Sequence, residues 1–313
     1  MTARVLIFGE CMVELYQLVE NVYHQNFAGD VYNTAVYLKR MQPQLQVDFF
    51  SAIGTDLISD KLIKALESEK LGSQWTLRHK TARPGLYMIN TDAFGERSFV
   101  YWRDSSAAKQ TLPLFFEKHT VNALLPTDWF YFSGISLAIL SEDDRETLFG
   151  LLTQLKAQGV KIAFDPNYRP VLWRSVEECK ANFSRAYQLS DLALPGLDDH
   201  KVLFNAKDCD DVVTHLRSLG VAEIVVKNGK DGATVYAGAD QQFHMPAVTV
   251  KKVIDTTAAG DSFNGGYLAA RLSGQDAKAA AAIAAALAAF VVEHTGAIVS
   301  MDNFRSFRSR YSL

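Results

Sequence analysis

Short apolar segments alternate with helix-forming segments along the middle of this chain. The apolar segments from residue 129 onward are WFYFSG, VKIAFD, LALPG and EIVVK, at 129–134, 160–165, 192–196 and 223–227. The first intervening helix is predicted to run from its N-cap Ser141 to Lys156, and a second helix begins at about Val176. Strands separated by single helices pair in parallel, because each helix returns the chain across the sheet. The alternation predicts an α/β fold with a mostly parallel central sheet.

The whole chain, residues 1–313, is expected to fold as one domain. With 48% hydrophobic and 21% charged residues, it can bury a large core. No Gly/Ser-rich or Pro-rich linker divides it, and it contains no internal repeat. The 32 Lys and Arg residues against 35 Asp and Glu give a net charge of −3, and no basic run is interleaved with aromatic residues. Nucleic acid is therefore not expected as a partner.

The N-terminal segment and the cysteines indicate a cytoplasmic protein. The apolar run in MTARVLIFGECMVEL is short and is interrupted by Glu10, which favours a first strand over a signal peptide. No stretch is long enough to span a bilayer, so we expect no membrane association. Cys11, Cys179 and Cys209 are odd in number and lack metal-ligand spacing, which is typical of reduced thiols. We predict a cytoplasmic location and no protein-bound metal.

Two regions depart from the alternation of strands and helices. Residues 10–32 and 84–105 have the pattern of antiparallel strands, and the second region contains LYMINT and SFVYWR around the turn DAFGE. We predict that they form a small β lid outside the main layers. On strand spacing, Phe99, Tyr101 and Arg103 share one face of this lid. A cross-strand aromatic stack beside a solvated arginine is an alternative interpretation of that face.

The segment DTTAAGDSFNGG, at 255–266, has the pattern of an anion site beside a base. A β-branched strand ending in VKKVIDTT is predicted to lead into small residues and then into a helix. At such a helix start, the free N–H groups of Ala258, Ala259 and Gly260 can bind an anion. Asp261 follows them and could take a proton from a hydroxyl while those groups hold a phosphate. In the alternative interpretation, Asp261 is only the N-cap of the helix.

Three other segments combine polar residues with a strand or helix end. In FAGDVYNTAVYLKR, Gly29 and Asp30 precede a predicted helix that carries Asn33 on its first turn, although ordinary capping would explain them equally well. DPNYRP directly follows the strand VKIAF, and Arg169 there could pair with a phosphate or a carboxylate. KNGKDGATVY adds two lysines to a strand end, which a plain hairpin turn would also explain.

Several common nucleotide-binding motifs are missing from the sequence. It contains no GxxxxGK[ST] phosphate loop, no HRD and DFG pair of a protein kinase, and no GxGxxG after the first strand. Neither a P-loop enzyme nor a typical nicotinamide dehydrogenase is therefore supported.

Taken together, these segments resemble the ribokinase, or PfkB, family of carbohydrate kinases over essentially the whole chain. DTTAAGDSF is similar to the C-terminal signature of the family, with Ala-Ala-Gly-Asp where many members have Gly-Ala-Gly-Asp, and AGDVYNTA is similar to the N-terminal sugar-binding signature. Within the family, GECMVEL, PGLYMINTDAFGERSFVYWR, SGISLAIL and DPNYRPVLW are most similar to 2-keto-3-deoxygluconate kinases. The resemblance implies a ribokinase-like three-layer α/β/α fold with a mostly parallel central sheet and a small antiparallel β lid.

The resemblance also implies a reaction, namely ATP-dependent phosphorylation of the terminal C6 hydroxyl of 2-keto-3-deoxygluconate to its 6-phosphate. Asp261 would deprotonate the hydroxyl, and the anion hole would be formed by Ala258, Ala259 and Gly260. The sugar acid would be bound by Gly29, Asp30, Asn33, Arg169 and, from the lid, Tyr87, Tyr101 and Arg103. The nucleotide side would be lined by Asn167, Lys227, Gly229 and Gly232.

The cofactors follow from the same resemblance. Mg²⁺ would bridge the phosphates of ATP, and a monovalent cation near Asp255 and Thr257 occurs in relatives. Many members carry Asn-x-x-Glu near the fifth strand, which organises the water ligands of the metal. Here the matching stretch runs from Pro195 to Asp199 and reads PGLDD, so Asp199 could replace the glutamate.

The choice of substrate can also be argued from charge. Burying the carboxylate of a sugar acid without a cationic partner is costly, so its site should supply an arginine, and Arg103 and Arg169 are the candidates. A neutral hexose would not require both, which makes a fructokinase the alternative; a sensor that binds sugar or nucleotide without turnover is another class. An exposed lid sheet readily pairs with another protein surface, so a homodimer or higher homo-oligomer through the β lid is expected.

Overall fold

Strands and helices alternate along the chain in the computed structural model, which describes residues 3–19, 21–91, 97–238 and 241–311. The strands are β1 Arg4–Phe8, β2 Met12–Val19, β3 Val22–Ala28, β4 Gln46–Ile53, β5 Thr76–Arg78, β6 Leu86–Thr91, β7 Arg97–Trp102, β8 Trp129–Ser133, β9 Lys161–Asp165, β10 Leu192–Ala193, β11 Glu223–Lys227, β12 Ala233–Ala237 and β13 Gln242–Met245. The helices are α1 Asp30–Met41, α2 Leu57–Ser68, α3 Thr111–Phe116, α4 Gly134–Ala138, α5 Glu142–Ala157, α6 Val176–Leu189, α7 Leu197–Phe204, α8 Cys209–Ser218, α9 Ala259–Leu272, α10 Ala277–Val292 and α11 Met301–Arg308.

Nine of the described strands form one large sheet, in the order β13, β12, β11, β10, β9, β8, β1, β4, β5. The strands from β11 to β5 in this order are parallel, whereas β12 and β13 extend one edge in antiparallel pairs. Helices α1, α9 and α10 pack on one face, and α5, α6 and α8 pack on the other. Strands enclosed on both faces are apolar throughout, which explains segments such as WFYFS in β8. The predicted three-layer α/β/α fold is confirmed.

The predicted elements of the middle of the chain are also confirmed. Helix α5 begins after Ser141, whose hydroxyl accepts the N–H of Asp144 at 3.1 Å. Helix α6 begins at Val176, after a second serine N-cap. In each case the cap supplies an acceptor for an N–H group that has no partner inside the helix.

The other four strands form the predicted lid, in the order β3, β2, β6, β7. Each hairpin is antiparallel, with Val13 opposite Phe27 in the first and Tyr87 opposite Tyr101 in the second. The two hairpins are joined by parallel pairing of β2 with β6, in which Val13 lies opposite Leu86. The lid is therefore one sheet built from two distant parts of the chain.

The lid differs from the prediction at its ends. Strand β3 ends at Ala28, and residues 30–32 belong to α1, because the chain already turns into the helix at Gly29. The predicted turn DAFGE, residues 92–96, lies outside the described residues.

The predicted strand ahead of Asp261 is wrong. Residues 250–256 form no strand, and the N–H groups of Ile254 and Asp255 both donate to the carbonyl of Val292, at 2.8 and 3.2 Å. Their β-branched neighbours favour extended backbone, but the described part of the large sheet ends at β13 and offers this segment no strand to pair with. The segment is therefore attached to the end of α10 instead.

The alanine-rich run near the C-terminus forms α10 and serves core packing. A Cβ added to Gly266 of α9 would lie 3.3 Å from the Cα of Ala284, so small residues on both helices allow their close approach. No helix among the described residues is both long and apolar enough to cross a membrane.

Candidate active site

A cavity of about 1060 Å³ lies between the carboxyl ends of the parallel strands and the lid. Strands β1, β9 and β11 end beside it, α1 and α9 begin beside it, and β6 and β7 cover it. The carboxyl edge of a parallel sheet is where α/β proteins hold ligands. With the exception of Gly232, all the predicted site residues line this cavity: Gly29, Asp30, Asn33, Tyr87, Tyr101, Arg103, Asn167, Arg169, Lys227, Gly229, Ala258, Ala259, Gly260 and Asp261.

Asp261 is the third residue of α9, and it is not the N-cap. The N-cap is Ala258, which has left-handed backbone (φ 60°), so the alternative interpretation of Asp261 as a simple cap is wrong. One carboxylate oxygen of Asp261 accepts a hydrogen bond from Nδ2 of Asn33 at 2.8 Å. The Oδ1 atom of Asn33 is buried and accepts no hydrogen bond within the described residues, so it is available to a ligand hydroxyl.

The pKa of Asp261 is raised to about 7, chiefly by burial and, to a smaller extent, by the nearby carboxylates of Asp30 and Asp165. The hydrogen bond from Asn33 and the charge of Lys227 act in the opposite direction. A carboxylate with a pKa near neutrality holds a proton firmly once it has accepted one. Asp261 can therefore accept a proton near neutral pH.

The predicted anion cradle at the start of α9 is partly occupied by the protein itself. The N–H of Ala259 donates to the carbonyl of Thr256 at 3.2 Å. No carbonyl in the described part of the chain accepts from the N–H groups of Ala258 or Gly260, and these two remain for a ligand. The cradle therefore has two backbone donors where the sequence suggested three.

Lys227 supplies positive charge beside this cradle. Its Nζ lies 3.0 Å from Oδ1 of Asn264 and 3.3 Å from Oδ2 of Asp165. A Cβ added to Gly260 would lie 3.7 Å from the same Nζ, so the amine faces the beginning of α9. Oδ2 of Asp165 also accepts from Nδ2 of Asn264 at 2.7 Å, which fixes all three side chains.

Asn167 and the two glycines of the predicted nucleotide side occupy different positions. Nδ2 of Asn167 donates to Asp30 at 3.0 Å, which places this amide next to a predicted sugar ligand. Gly229 lines the cavity. Gly232 does not, and a Cβ there would lie 2.1 Å from the carbonyl of Met245, so it serves the close approach of β12 and β13. The interpretation of this segment as a hairpin turn is confirmed, since β11 and β12 pair antiparallel.

The lid contributes an aromatic surface and a buried ion pair. The rings of Tyr87 and Tyr101 have centroids 5.7 Å apart, and the Tyr87 hydroxyl donates to the buried carboxylate of Glu14. Arg103 is only 8% exposed and forms an ion pair with Glu10. The aromatic stack of the alternative interpretation is present, but its solvated arginine is wrong, because a buried guanidinium needs an anionic partner and Glu10 provides one.

Arg169 differs from Arg103 in its exposure to solvent. Its side chain is exposed, and Nη1 donates to the carbonyl of Tyr168 at 2.9 Å. Arg169 forms no ion pair within 4.0 Å among the described residues, but its positive charge acts on Asp199 and lowers the pKa of that carboxyl group. Asp199, which the sequence suggested as a substitute for a glutamate, lines the same part of the cavity. Burial raises the pKa of Asp199, while its hydrogen bond from the N–H of Tyr168 (3.1 Å) lowers it.

Comparison with known proteins decides the family. The sequence profile described as "pfkB family carbohydrate kinase" matches residues 2–303. The chain belongs to the pfkB family of carbohydrate kinases. The resemblance predicted from the signatures is confirmed, and with it the class of enzyme.

Relatives of this pfkB kinase match it over almost its full length. It is 41% identical to the 2-dehydro-3-deoxygluconokinase of Escherichia coli (strain K12), covering 96% of this chain and 99% of that one. It is 34% identical to the protein of the same name from Haemophilus influenzae, covering 99% of both. The fructokinase of Xylella fastidiosa, solved with bound ATP, has the same fold, with a TM-score of 0.83, 24% identity and full coverage of both chains. Another structure of this fold contains ATP and Mg²⁺.

Sequence reasoning missed three buried residues of this pfkB kinase that support the cavity. Glu10 lies two residues after the end of β1, Asp165 ends β9, and Asn264 lies three residues after Asp261 on α9. Each carried a signal, because a carboxylate at the end of a buried strand and an amide one helical turn from a base both lie beside the strand ends. The sequence pattern could not show which side chains these three residues pair with.

Proposed function

We propose that this pfkB kinase transfers the γ-phosphoryl group of ATP to the C6 hydroxyl of 2-keto-3-deoxygluconate, also called 2-dehydro-3-deoxygluconate. The observation that carries the proposal is that Asp261, whose pKa is raised, lines the same cavity as Arg103 and Arg169. The names of the relatives at 34–41% identity support the same substrate.

The residues around Asp261 support direct in-line transfer. Asp261 accepts the proton of the C6 hydroxyl as the new oxygen–phosphorus bond forms and the bond between the γ-phosphorus and the bridging oxygen of ADP breaks. Lys227 and the N–H of Gly260 face the charge that develops on the transferred group. Asn33 keeps the accepting carboxylate oriented. The scheme needs no covalent enzyme intermediate.

Two cations accompany the proposed reaction. Mg²⁺ would neutralise the phosphate oxygens, and Asp199, whose carboxylate lines the cavity and accepts one backbone hydrogen bond, is the residue we assign to holding its water ligands. The carboxylate oxygens of Asp255 accept the N–H groups of Thr257 (2.9 Å) and Gly296 (2.7 Å). The monovalent cation at this position stays a prediction, to be tested by measuring the rate against K⁺ concentration at constant ionic strength.

Charge pairing in the cavity supports a sugar acid bound through Arg169. Arg103 is buried in an ion pair with Glu10, whereas Arg169 is exposed, forms no ion pair within 4.0 Å among the described residues, and has only a longer-range electrostatic interaction with Asp199. A ligand carboxylate therefore gains more from Arg169 than from Arg103. The pairing of Arg103 also favours the second candidate, a fructokinase, because a neutral ion pair can bind hydroxyl groups.

An assay of ADP release across a panel of sugars tests these candidates. We expect the highest kcat/KM with 2-keto-3-deoxygluconate, and a ³¹P spectrum of the product typical of a primary phosphate ester. A higher kcat/KM with fructose would replace the proposal by a fructokinase. Calorimetric binding of sugar or nucleotide without ADP release from any sugar would identify a sensor.

The outer face of the lid supports the predicted homodimer. Val100 and Trp102 alternate with the cavity-facing aromatics of β7 and are 42% and 55% exposed, and Tyr23 of β3 is 41% exposed. We infer that a second copy covers this apolar face. Sedimentation at twice the 34.7 kDa chain mass is expected, and a shift to the monomer in Trp102→Lys would locate the interface. A wild-type monomer would contradict this inference.

The cytoplasmic location stays a prediction.

A further inference from the structure

Glu10 lies at the junction between the large sheet and the lid. It follows strand β1, lines the cavity and is only 3% exposed. One carboxylate oxygen accepts Nη2 of Arg103, and the other accepts the hydroxyl of Ser106. Both oxygens are therefore satisfied by residues at and beyond the end of β7, so the carboxylate is held in one orientation.

The backbone of the lid closes directly over this ion pair. A Cβ added to Gly85 would lie 2.5 Å from Oε1 of Glu10 and 3.2 Å from Cβ of Arg103. The carbonyl of Gly85 accepts the N–H of Val13 at 2.8 Å, which fixes the position of this glycine. A residue with a side chain at position 85 would displace the carboxylate, so the glycine allows the pair to form.

Arg103 keeps hydrogen-bond donors that Glu10 does not use. Its Nε is buried and unpartnered within the described ranges, and its Nη1 donates to no residue in them. An arginine side chain is flexible, and a guanidinium that must find its orientation during binding loses entropy at that moment. A guanidinium already fixed by a carboxylate binds a ligand without that loss.

We propose that Glu10 is a positioning residue for the sugar, holding the guanidinium of Arg103 so that its remaining donors meet the sugar oxygens. The inference rests on the proposed function, in which the cavity-facing wall of the lid binds the sugar and Lys227 and α9 bind the phosphates. It assigns Glu10 to sugar affinity and to neither phosphate binding nor proton transfer.

The test compares Glu10→Gln with Glu69→Gln in steady-state kinetics. Glu69 forms a partly buried pair with Arg40 through two hydrogen bonds of 2.7 and 2.6 Å, and neither residue lines the cavity. We expect Glu10→Gln to raise KM for the sugar about tenfold while KM for ATP is unchanged, because one charge-assisted contact that orients Arg103 is weakened. Glu69→Gln should lower the melting temperature and leave both KM values unchanged.

Gly85→Ala provides a second variant that keeps the charge and displaces the carboxylate. It should raise KM for the sugar in the same way, so the proposal stays testable if Glu10→Gln fails to fold. An unchanged sugar KM in the folded variants, or an equal rise in KM for ATP, would overturn the proposal. If the wild-type protein phosphorylates fructose and not the sugar acid, the proposed function fails. The role of Glu10 is then still decided by the ratio of the variant KM to the wild-type KM, measured with fructose.

Discussion

The wall of the cavity around Asp261 and the wall formed by the lid differ in how their charged groups are paired. Around Asp261, the carboxylates of Asp30 and Asp165 lie close enough to raise its pKa, and the lysine that opposes them is shared with Asp165. On the lid wall, Glu10 neutralises Arg103 and Glu14 accepts the hydroxyl of Tyr87.

This difference matches the two tasks that we propose for these walls, which are proton transfer at Asp261 and binding of the sugar at the lid. A base must gain from accepting a proton, so a surplus of negative charge around Asp261 favours its reaction. A binding group gains from a fixed position, so a complete set of partners on the lid favours affinity. We therefore expect substitutions around Asp261 to lower kcat and substitutions on the lid to raise KM for the sugar.

The largest expected effect is that of Asp261→Asn. The amide keeps the shape of the side chain but cannot accept the proton, so kcat should fall by about 10³-fold while ATP binding, measured by calorimetry, is retained. Asp302→Asn, at an exposed position on α11, is the control and should be neutral. Near-normal turnover by Asp261→Asn would remove this residue from the reaction.

Lys227→Met should have the next largest effect. Loss of the amine beside the start of α9 removes a charge that faces the transferred phosphoryl group, so kcat should fall by about 10²-fold. Lys230→Met is the matched control, because Lys230 lies in the same turn but does not line the cavity. Equal losses in the two variants would show that the turn, and not the amine of Lys227, is what matters.

Arg169→Ala tests whether the exposed arginine of the cavity binds the carboxylate of the sugar acid. KM for 2-keto-3-deoxygluconate should rise about tenfold, with little change in any residual KM for fructose, because a charge-assisted contact is lost only for the acid. Arg103→Ala should discriminate less between the two sugars, since its charge is already neutralised. A larger discrimination by Arg103→Ala would reverse this assignment. Arg174→Ala, at an exposed position that does not line the cavity, is the control.

The smallest expected effect is that of lowering the pH from 8 to 7. Because the pKa of Asp261 is raised to about 7, its reactive carboxylate form is gained as pH rises through 7 and lost as pH falls. Between pH 8 and pH 7 kcat/KM should fall about twofold, and below pH 6.5 it should approach a tenfold loss per pH unit, because kcat/KM reports the pKa of a group in the free enzyme. A profile of kcat/KM that is flat from pH 8 to pH 5 would mean that Asp261 is not the titrating base.

The layers and the position of Asp261 could be predicted because they depend on local pattern. Buried parallel strands are apolar throughout, so WFYFS and KIAFD were recognisable, and small residues ahead of an amphipathic helix indicated a helix start at the cavity. The alternating aromatics of β7 indicated in the same way that Phe99 and Tyr101 share a face.

The remaining features depend on contacts between distant residues. Nothing local to Glu10 indicates that its partner is Arg103, and nothing local to Lys227 indicates Asp165. The extended segment before Asp261 had strand composition but no strand to pair with, which only the sheet order reveals. Likewise, the N–H of Ala259 donates to the carbonyl of Thr256, and this hydrogen bond depends on the backbone conformation of a turn that the sequence does not specify.

The parallel pairing of β2 with β6 has a consequence for the order of folding. These strands are separated in sequence by β3, α1, β4, α2 and β5, so the two hairpins of the lid cannot be joined by local contacts alone during synthesis. Closing so long a loop is entropically costly unless the intervening elements have already docked on the sheet. We expect Tyr87 and Arg103 to reach their places only at a late stage, after the core around β1 and β4 has assembled. The protein would then be able to bind the sugar only after its core has folded.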